Sequence, residues 1–277
     1  MAYDYEIFTV TREGRLAIVT IDNPPVNLIT LQMYEELQSL TAELKADPDL
    51  TVVLFKSADP DFFIAHFDVE LILSFPVEGT TEKTVEPNPF HVLCRRFQTM
   101  DKITIAQIEG RIGGGGNEIV SNMDMRFGVK GRTRISQMEV PLGILPGGTG
   151  TQNLPHIVGR ARALEIIAGA EDIDAETAEK WGYLNRIFAP EEIGDWVENL
   201  ARKIAGYPPE AVRLAKQSVN NAGTHKEEGL LEEAYLFQQL IRTPDARANM
   251  VRFLELGGQT RDGELRVDEL VGQLKSE

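Results

Sequence analysis

Ile103-Thr-Ile-Ala-Gln-Ile108 is an apolar, β-branched run that leads through Glu109-Gly-Arg-Ile112 into four glycines, Gly113 to Gly116, and then into Asn117-Glu-Ile-Val120. The first run predicts a strand and the last predicts the start of a helix. Glycine is unfavourable inside either element because it loses the most freedom on folding. Four glycines in succession therefore indicate a place where backbone amides must come very close to another group.

Backbone amides at such a turn can bind a negatively charged oxygen. A glycine turn that enters a helix leaves several N–H donors without partners, and the helix dipole adds positive charge there. Two carboxylates are near in sequence, Glu118 beside Ile119 and Glu139 between Met138 and Val140. Donors for an oxyanion together with two carboxylates in apolar surroundings are typical of an acid–base site.

Three blocks of the sequence resemble the crotonase (enoyl-CoA hydratase/isomerase) superfamily. Lys102–Gly110 is similar to its "KPVIAAVNG" strand, Gly114–Glu118 to its "GGGCE", and Glu139–Gln152 to its "PEVKLGIIPGAGGTQ". The blocks occur in the family's order, and the resemblance extends from about Leu16 to Phe188. It implies an α/β fold of the crotonase-like type, a spiral of ββα repeats with a helical C-terminal subdomain that assembles trimers.

The bulk properties limit the classes of partner. The 277 residues carry a net charge of −15, with a pI near 4.8, which argues against nucleic acid and against anionic membranes. One cysteine, Cys94, allows no internal disulfide. The sequence shows neither a signal peptide nor an apolar run of transmembrane length, nor a metal-ligand cluster. These properties predict a cytoplasmic protein, and the resemblance implies an acyl-CoA as its small-molecule partner.

The order of predicted elements divides the chain into two parts. A hairpin, a helix capped by Thr30 and a buried strand from Thr51 to Lys56 predict a parallel α/β core over residues 1–190 that carries the active site. Residues 191–277 are predicted to be almost entirely helical. The resemblance implies a homotrimer or a dimer of trimers, and an apolar stripe there is the expected contact surface; it comprises Leu230, Ala234, Phe237, Leu240 and Ile241. The polar segment from Pro76 to Pro89 is interpreted as a mobile loop over the site.

The resemblance also implies roles for individual residues. The backbone N–H groups of Ala65 and Gly115 stand at the positions of the oxyanion hole, and Glu118 and Glu139 at those of the two catalytic glutamates. The residues that the resemblance places around the substrate are Ala65, His66, Phe67, Asp68, Gly114 and Gly115. The implied reaction is the reversible addition of water to a 2-enoyl-CoA thioester, without a metal or another cofactor.

Three departures from the family pattern bear on that reaction. His66 stands where the family has glycine, and Phe67 stands where it has alanine. His66 either packs with its ring nitrogens satisfied or titrates within the site. We expect its imidazole to be dispensable for the chemistry, because two glutamates already fill the acid and base roles. Near the C-terminus, Ala248–Gly257 lacks the basic pair that often helps to hold the CoA phosphate.

Three other functions remain open on the sequence alone. An enoyl-CoA isomerase would move a proton with one carboxylate. A family member that cleaves carbon–carbon bonds without CoA would fit His66 and the missing basic pair. A catalytically silent binding protein is opposed by the complete set of oxyanion donors and two glutamates, and the acidic charge opposes RNA binding.

Overall fold

A computed structural model describes residues 3–220 and 226–274 of the chain. Within those ranges there are ten strands and thirteen helices. The strands are β1 Phe8–Glu13, β2 Leu16–Ile21, β3 Val52–Ser57, β4 Phe62–Ile64, β5 Ile103–Ile108, β6 Arg111–Ile112, β7 Met125–Val129, β8 Arg134–Ile135, β9 Ile173–Asp174 and β10 Arg186–Phe188. The helices are α1 Leu31–Ala46, α2 Val69–Leu73, α3 Pro89–Thr99, α4 Gly114–Ser121, α5 Gly150–Val158, α6 Arg160–Gly169, α7 Ala175–Trp181, α8 Ile193–Ala205, α9 Pro209–Asn220, α10 Lys226–Leu240, α11 Pro244–Glu255, α12 Arg261–Glu264 and α13 Val267–Val271.

The strands form two sheets that the chain visits alternately. The larger sheet has the order β1-β2-β3-β5-β7-β10 and is parallel except for the β1–β2 hairpin. The smaller sheet has the order β4-β6-β8-β9. Each of the pairs β3–β4, β5–β6 and β7–β8 places its first strand in the larger sheet and its second in the smaller sheet, and helices follow each pair. This repeated strand–strand–helix unit confirms the predicted α/β class and its ββα repeats.

Both faces of the larger sheet are covered, as its continuous apolar strands predict. One face packs against α1, α3 and α4 in the main core cluster, which includes Val53, Phe55 and Ala106. The other face packs against α8, whose Ile193, Val197, Ala201 and Ala205 repeat at helical spacing and are buried. The first helix of the predicted C-terminal subdomain thus contacts the sheet of the core directly. The domain division at residues 190 and 191 stays a prediction.

Short polar residues begin and end the helices where the sequence places them. Thr30 accepts a hydrogen bond from the N–H of Met33 at the start of α1, and Asp174 accepts one from Thr177 at the start of α7. Gly182 ends α7 at a φ of 82°, a left-handed conformation that glycine adopts without strain. No helix of the described ranges is long and apolar enough to cross a membrane.

Two helix predictions near the site were wrong. The helix expected to start at Asn117 begins at Gly114, so three of the four glycines form its first turn. Helix α5, Gly150–Val158, was not predicted, because its first residues belong to a glycine-rich run. In both places tertiary packing overrides the low helix propensity of glycine. A Cβ added at Gly116 would lie 2.6 Å from the carbonyl oxygen of Ile64, so only glycine fits there.

The close approach at Gly116 gives a stability test. Gly116→Ala should lower the midpoint of thermal unfolding by roughly 3–10 °C, because the added methyl group meets the backbone of β4 and forces a shift worth about 1–3 kcal/mol. The control is Gly194→Ala in α8, where an added Cβ meets nothing within 4 Å. The control should melt at the wild-type temperature or slightly above it. Equal midpoints for Gly116→Ala and the wild type would show that the glycine is not needed for packing.

Candidate active site

Helices α1 to α4 and α10, with nearby loops, line a cavity of about 470 Å³. Its wall is largely aromatic and aliphatic, with Tyr34, Phe67, Phe75, Phe90 and Phe237 contributing rings. The Phe67 ring contacts those of Tyr34 and Phe90 edge-on, at centroid distances of 6.5 and 5.4 Å. The polar side chains on the wall are few, as is usual for a small-molecule site: Tyr34, Asn88, Glu118, Glu139 and Gln238.

Glu118 is held in the cavity by three backbone amides. It lies on α4, one turn after the glycines, and its Oε1 accepts hydrogen bonds of 2.8 Å from the N–H groups of Gly148, Thr149 and Gly150. A Cβ added at Gly148 would lie 2.5 Å from Oε2 of Glu118, so this turn needs glycine to come so close. All three donors engage the same oxygen, which leaves Oε2 free of these contacts.

Glu139 reaches the same cavity from the loop after β8. Its Oε1 accepts a hydrogen bond of 2.9 Å from Nε2 of Gln137, and Gln137 in turn accepts one of 2.8 Å from Nδ2 of Asn117. Among the described residues, nothing donates to the buried Oε2 of Glu139. Asn117, Gln137 and Glu139 are thus joined by hydrogen bonds, and Glu139 lines the cavity together with Glu118. The structure brings together the two glutamates that the sequence singled out.

A third buried carboxyl group, Glu233 of α10, was missed by the sequence analysis. Its Oε1 lies 3.1 Å from Nε2 of His91, and its Oε2 accepts hydrogen bonds from the N–H (3.0 Å) and the hydroxyl of Thr151. The signal was present in the sequence. Glu233 falls on the same helix face as the buried Leu230, Ala234 and Ile241, where a charged residue calls for a partner.

Burial controls the protonation of this cluster. It raises the pKa of Glu118, Glu139 and Glu233 to about 8, and repulsion between neighbours adds to the effect, from Glu233 on Glu118 and from Glu118 on Glu139. The three amides on Glu118 act in the opposite direction and favour its ionised form. Burial lowers the pKa of His91 to about 4, so this ring is neutral at pH 7 and offsets none of the negative charge.

Of the two residues predicted to supply the oxyanion donors, Gly115 lines the cavity and Ala65 does not. Gly115 lines the cavity in the first turn of α4. The structure does not support Ala65 as the second donor, because its N–H donates to the carbonyl oxygen of Val26 at 3.2 Å and its side chain lies in a separate cluster beneath the loop. Phe67 lines the cavity instead, and its N–H donates to no acceptor within the described residues. A Cβ added at Gly115 would lie 3.1 Å from that of Phe67.

The other predicted contact residues lie behind the cavity wall. His66 is buried, with one ring nitrogen 2.8 Å from the Phe67 carbonyl oxygen and the other 2.9 Å from Oε1 of Glu264. Asp68 caps α2 by accepting a hydrogen bond from the N–H of Glu70. Gly114 has a φ of 45° and packs against His66 and Glu139. In the described ranges, no group of three His, Cys, Asp or Glu residues is arranged to hold a metal ion.

The raised pKa of Glu139 predicts a pH-dependent stability. Between about pH 4.5 and pH 8 the unfolded chain has lost the Glu139 proton and the folded chain keeps it, so the free energy of unfolding falls as the pH rises. Glu139→Gln removes this effect and should melt roughly 3–8 °C above the wild type at pH 8, with the difference shrinking towards pH 4.5. Thermal unfolding followed by circular dichroism measures it.

The matched control is Glu210→Gln on the surface of α9. The pKa of Glu210 is lowered by its hydrogen bond with Arg213, so its removal should not raise the melting temperature at any pH. If the difference in melting temperature between Glu139→Gln and the wild type does not change with pH, Glu139 is not buried in its protonated form.

Comparison with known proteins agrees with this arrangement. Residues 11–260 match the model of the enoyl-CoA hydratase/isomerase family. The short-chain-enoyl-CoA hydratase of Clostridium acetobutylicum is 31% identical over 250 residues, covering 88% of this chain and 93% of the relative. The crotonyl-CoA hydratase of Syntrophomonas wolfei is 28% identical over 257 residues, covering 91% and 96%.

A solved structure also matches over nearly the full length. It comes from Streptomyces avermitilis, is provisionally described as an enoyl-CoA hydratase, and is 34% identical to this chain. Its TM-score is 0.88, with 98% of this chain and 99% of that chain covered. The fold, the position of the two glutamates and the family match agree, and the chain belongs to the enoyl-CoA hydratase/isomerase family, the crotonase superfamily.

Proposed function

We propose that the protein is an enoyl-CoA hydratase, which adds water reversibly across the double bond of a 2-enoyl-CoA thioester. The observation that carries this proposal is the pair of buried carboxyl groups, Glu118 and Glu139, on the wall of one apolar cavity beside the first turn of α4. Relatives named as short-chain-enoyl-CoA and crotonyl-CoA hydratases support it. The proposed reaction uses only protein groups and water, so it needs no metal or other cofactor.

The N–H groups of Gly115 and Phe67 form the proposed oxyanion hole. Attack on the β-carbon of an enoyl thioester moves negative charge to the carbonyl oxygen, and two fixed N–H donors stabilise it. Both residues line the cavity, and both amides lack an acceptor among the described residues. This replaces Ala65 with Phe67 as the second donor.

The contacts of the two glutamates assign their roles. Burial and mutual repulsion keep a proton on the coupled pair at neutral pH, and the three amides place the negative charge on Glu118, which acts as the base and takes a proton from water through its Oε2. Glu139 has one donor and an unpartnered Oε2, so it holds the proton that it delivers to the α-carbon. A carbon–oxygen bond and a carbon–hydrogen bond form, the carbon–carbon π bond breaks, and one proton moves to Glu118 while another leaves Glu139.

The other functions are less well supported. Isomerisation needs one carboxylate, and this cavity has two. The carbon–carbon hydrolase rested partly on His66, which is not part of the cavity wall. A binding protein would gain nothing from burying carboxyl groups at an energetic cost. In place of the missing basic pair, we propose that Arg242 attracts the CoA phosphates, because it is bonded to Gln238 of the cavity wall (2.7 Å).

Replacing either glutamate by glutamine should abolish most of the hydration activity. We expect kcat for a short 2-enoyl-CoA such as crotonyl-CoA to fall by at least ~10²-fold in Glu118→Gln and in Glu139→Gln, because each loses one proton transfer. Loss of the ultraviolet absorbance of the conjugated thioester measures the rate. The control is Glu210→Gln on the surface of α9, which should keep the wild-type rate.

The result separates the proposed functions. If Glu139→Gln keeps near-normal turnover while Glu118→Gln does not, a mechanism with one carboxylate replaces the paired one. A wild-type enzyme that neither hydrates crotonyl-CoA nor binds acetoacetyl-CoA would contradict the proposal altogether.

We also propose a homotrimer or a dimer of trimers. The stripe from which this was predicted does not carry the proposal, since Leu230, Ala234 and Ile241 are buried within the chain itself. Helix α9 supports it better, because it exposes Leu214 at 47% and Val219 at 74%. Sedimentation at micromolar concentration should give three or six chain masses, and Leu214→Glu should shift the distribution towards one chain. A wild-type mass of one chain would rule the assembly out.

A further inference from the structure

The segment that carries Phe67 is clamped by residues from the C-terminal end of the chain. Nδ1 of His66 lies 2.8 Å from the carbonyl oxygen of Phe67, and Nε2 lies 2.9 Å from Oε1 of Glu264. Both side chains are about 2% exposed. A carbonyl and an ionised carboxylate can only accept hydrogen bonds, so both ring nitrogens donate and His66 is an imidazolium.

The imidazolium lies on the same edge of the backbone as the N–H of Phe67. Ile29 pairs with the groups on either side, donating to the His66 carbonyl at 2.9 Å and accepting from the N–H of Asp68 at 3.2 Å. In an extended chain these two groups point to one side, and the N–H and C=O of the residue between them point to the other. The His66 ring therefore bonds to the Phe67 carbonyl oxygen on the side of the chain to which the Phe67 N–H also points.

A second contact fixes the residues that follow. Nε2 of Gln259 donates to Oδ1 of Asp68 at 3.0 Å, and Oε1 of Gln259 accepts from the N–H of Val69. Gln259 has a φ of 63°, an unfavourable value for a residue with a side chain, and its N–H donates to Oε1 of Glu264 at 2.6 Å. Gln259 and Glu264 thus tie down the backbone on both sides of Phe67.

We propose that the buried pair of His66 and Glu264 is a positioning device for the oxyanion hole. It orients the Phe67 peptide and places a positive charge next to it, so that the hole depends on the C-terminal segment 259–264. The inference rests on the proposed function, in which the Phe67 N–H contacts the thioester oxygen. It also replaces the expectation that the imidazole of His66 is dispensable.

The groups around His66 set the sign of its pH dependence. Glu264 of α12 and Glu139 of the loop after β8 favour the charged ring, the ring of Phe253 in α11 packs edge-on at 5.8 Å, and Arg111 of β6 acts on Glu264. Burial by itself lowers the pKa of His66, but Glu264 and the Phe67 carbonyl outweigh it and raise the pKa. Without the Glu264 charge, the ring loses its proton as the pH rises and can then donate from one nitrogen only.

Steady-state kinetics with crotonyl-CoA tests the inference. In His66→Ala and Glu264→Gln, kcat should fall about tenfold while KM stays within about threefold, because the oriented donor acts mainly in the transition state. Between roughly pH 6.5 and pH 7.5 the kcat of Glu264→Gln should also decline, whereas that of the wild type should not. Asp124→Asn is the matched control. It breaks the Lys216–Asp124 pair (2.8 Å), a buried link from α9 to the core outside the cavity wall, and kcat should stay within twofold.

Nitrogen-15 NMR of the histidine rings supplies a readout that needs no activity. At pH 7.5 both nitrogens of His66 should be protonated in the wild type, and the ring should be neutral in Glu264→Gln; the spectrum of His66→Ala assigns the signals. A neutral His66 in the wild type at pH 7.5, or an unchanged kcat in both variants, would overturn the inference. A wild type without hydratase activity would instead overturn the proposed function, and the NMR spectrum would still decide whether the charged pair exists.

Discussion

The site depends on the contact between Glu118 and the amides of Gly148, Thr149 and Gly150. This contact ties α4 to the start of α5, and these two helices come from successive ββα repeats. Three hydrogen bonds to one oxygen keep a deeply buried carboxylate in a fixed orientation, in surroundings that otherwise favour its protonated form. The glycines are required because the backbone must approach the carboxyl group this closely.

Around that contact, the structure separates groups that carry charge from groups that hold an acyl chain. Glu118 and Glu139 line the cavity, the charge of the buried Glu233 acts on Glu118, and aromatic and aliphatic side chains supply most of the remaining wall. The low polarity of the wall is also what keeps a proton on the carboxyl cluster at neutral pH. Substrate binding and acid–base chemistry therefore have one physical cause in the proposed function, the apolar lining of the cavity.

Much of the fold could be predicted from the sequence, because local signals and burial agreed. The buried strand predicted from Thr51 to Lys56 is β3, Val52–Ser57, the described residues after 191 lie almost entirely in helices, and Thr30 caps α1 as predicted. The predicted start of α4 was wrong and α5 was missed, because glycines that disfavour an isolated helix are required by tertiary contacts: Gly116 meets Ile64 of β4, and Gly150 meets Glu118. Propensity does not include such contacts.

The site was predicted in part for a similar reason. Glu118 and Glu139 were found because a motif carries them, and Gly115 because it precedes Glu118. The proposal of Phe67 in place of Ala65 rests on the hydrogen bond from Ala65 to Val26, and the partner of His66 is 198 residues away in sequence. Neither contact leaves a local trace in the sequence.

A structure of the enzyme with acetoacetyl-CoA, a thioester that resembles the substrate and cannot be hydrated in the same way, tests the central claim most directly. The account predicts the thioester oxygen within about 3.1 Å of the N–H groups of both Gly115 and Phe67, with the acyl carbons between Glu118 and Glu139. A thioester oxygen bound away from these two amides, or an acyl group outside the cavity, would contradict the account.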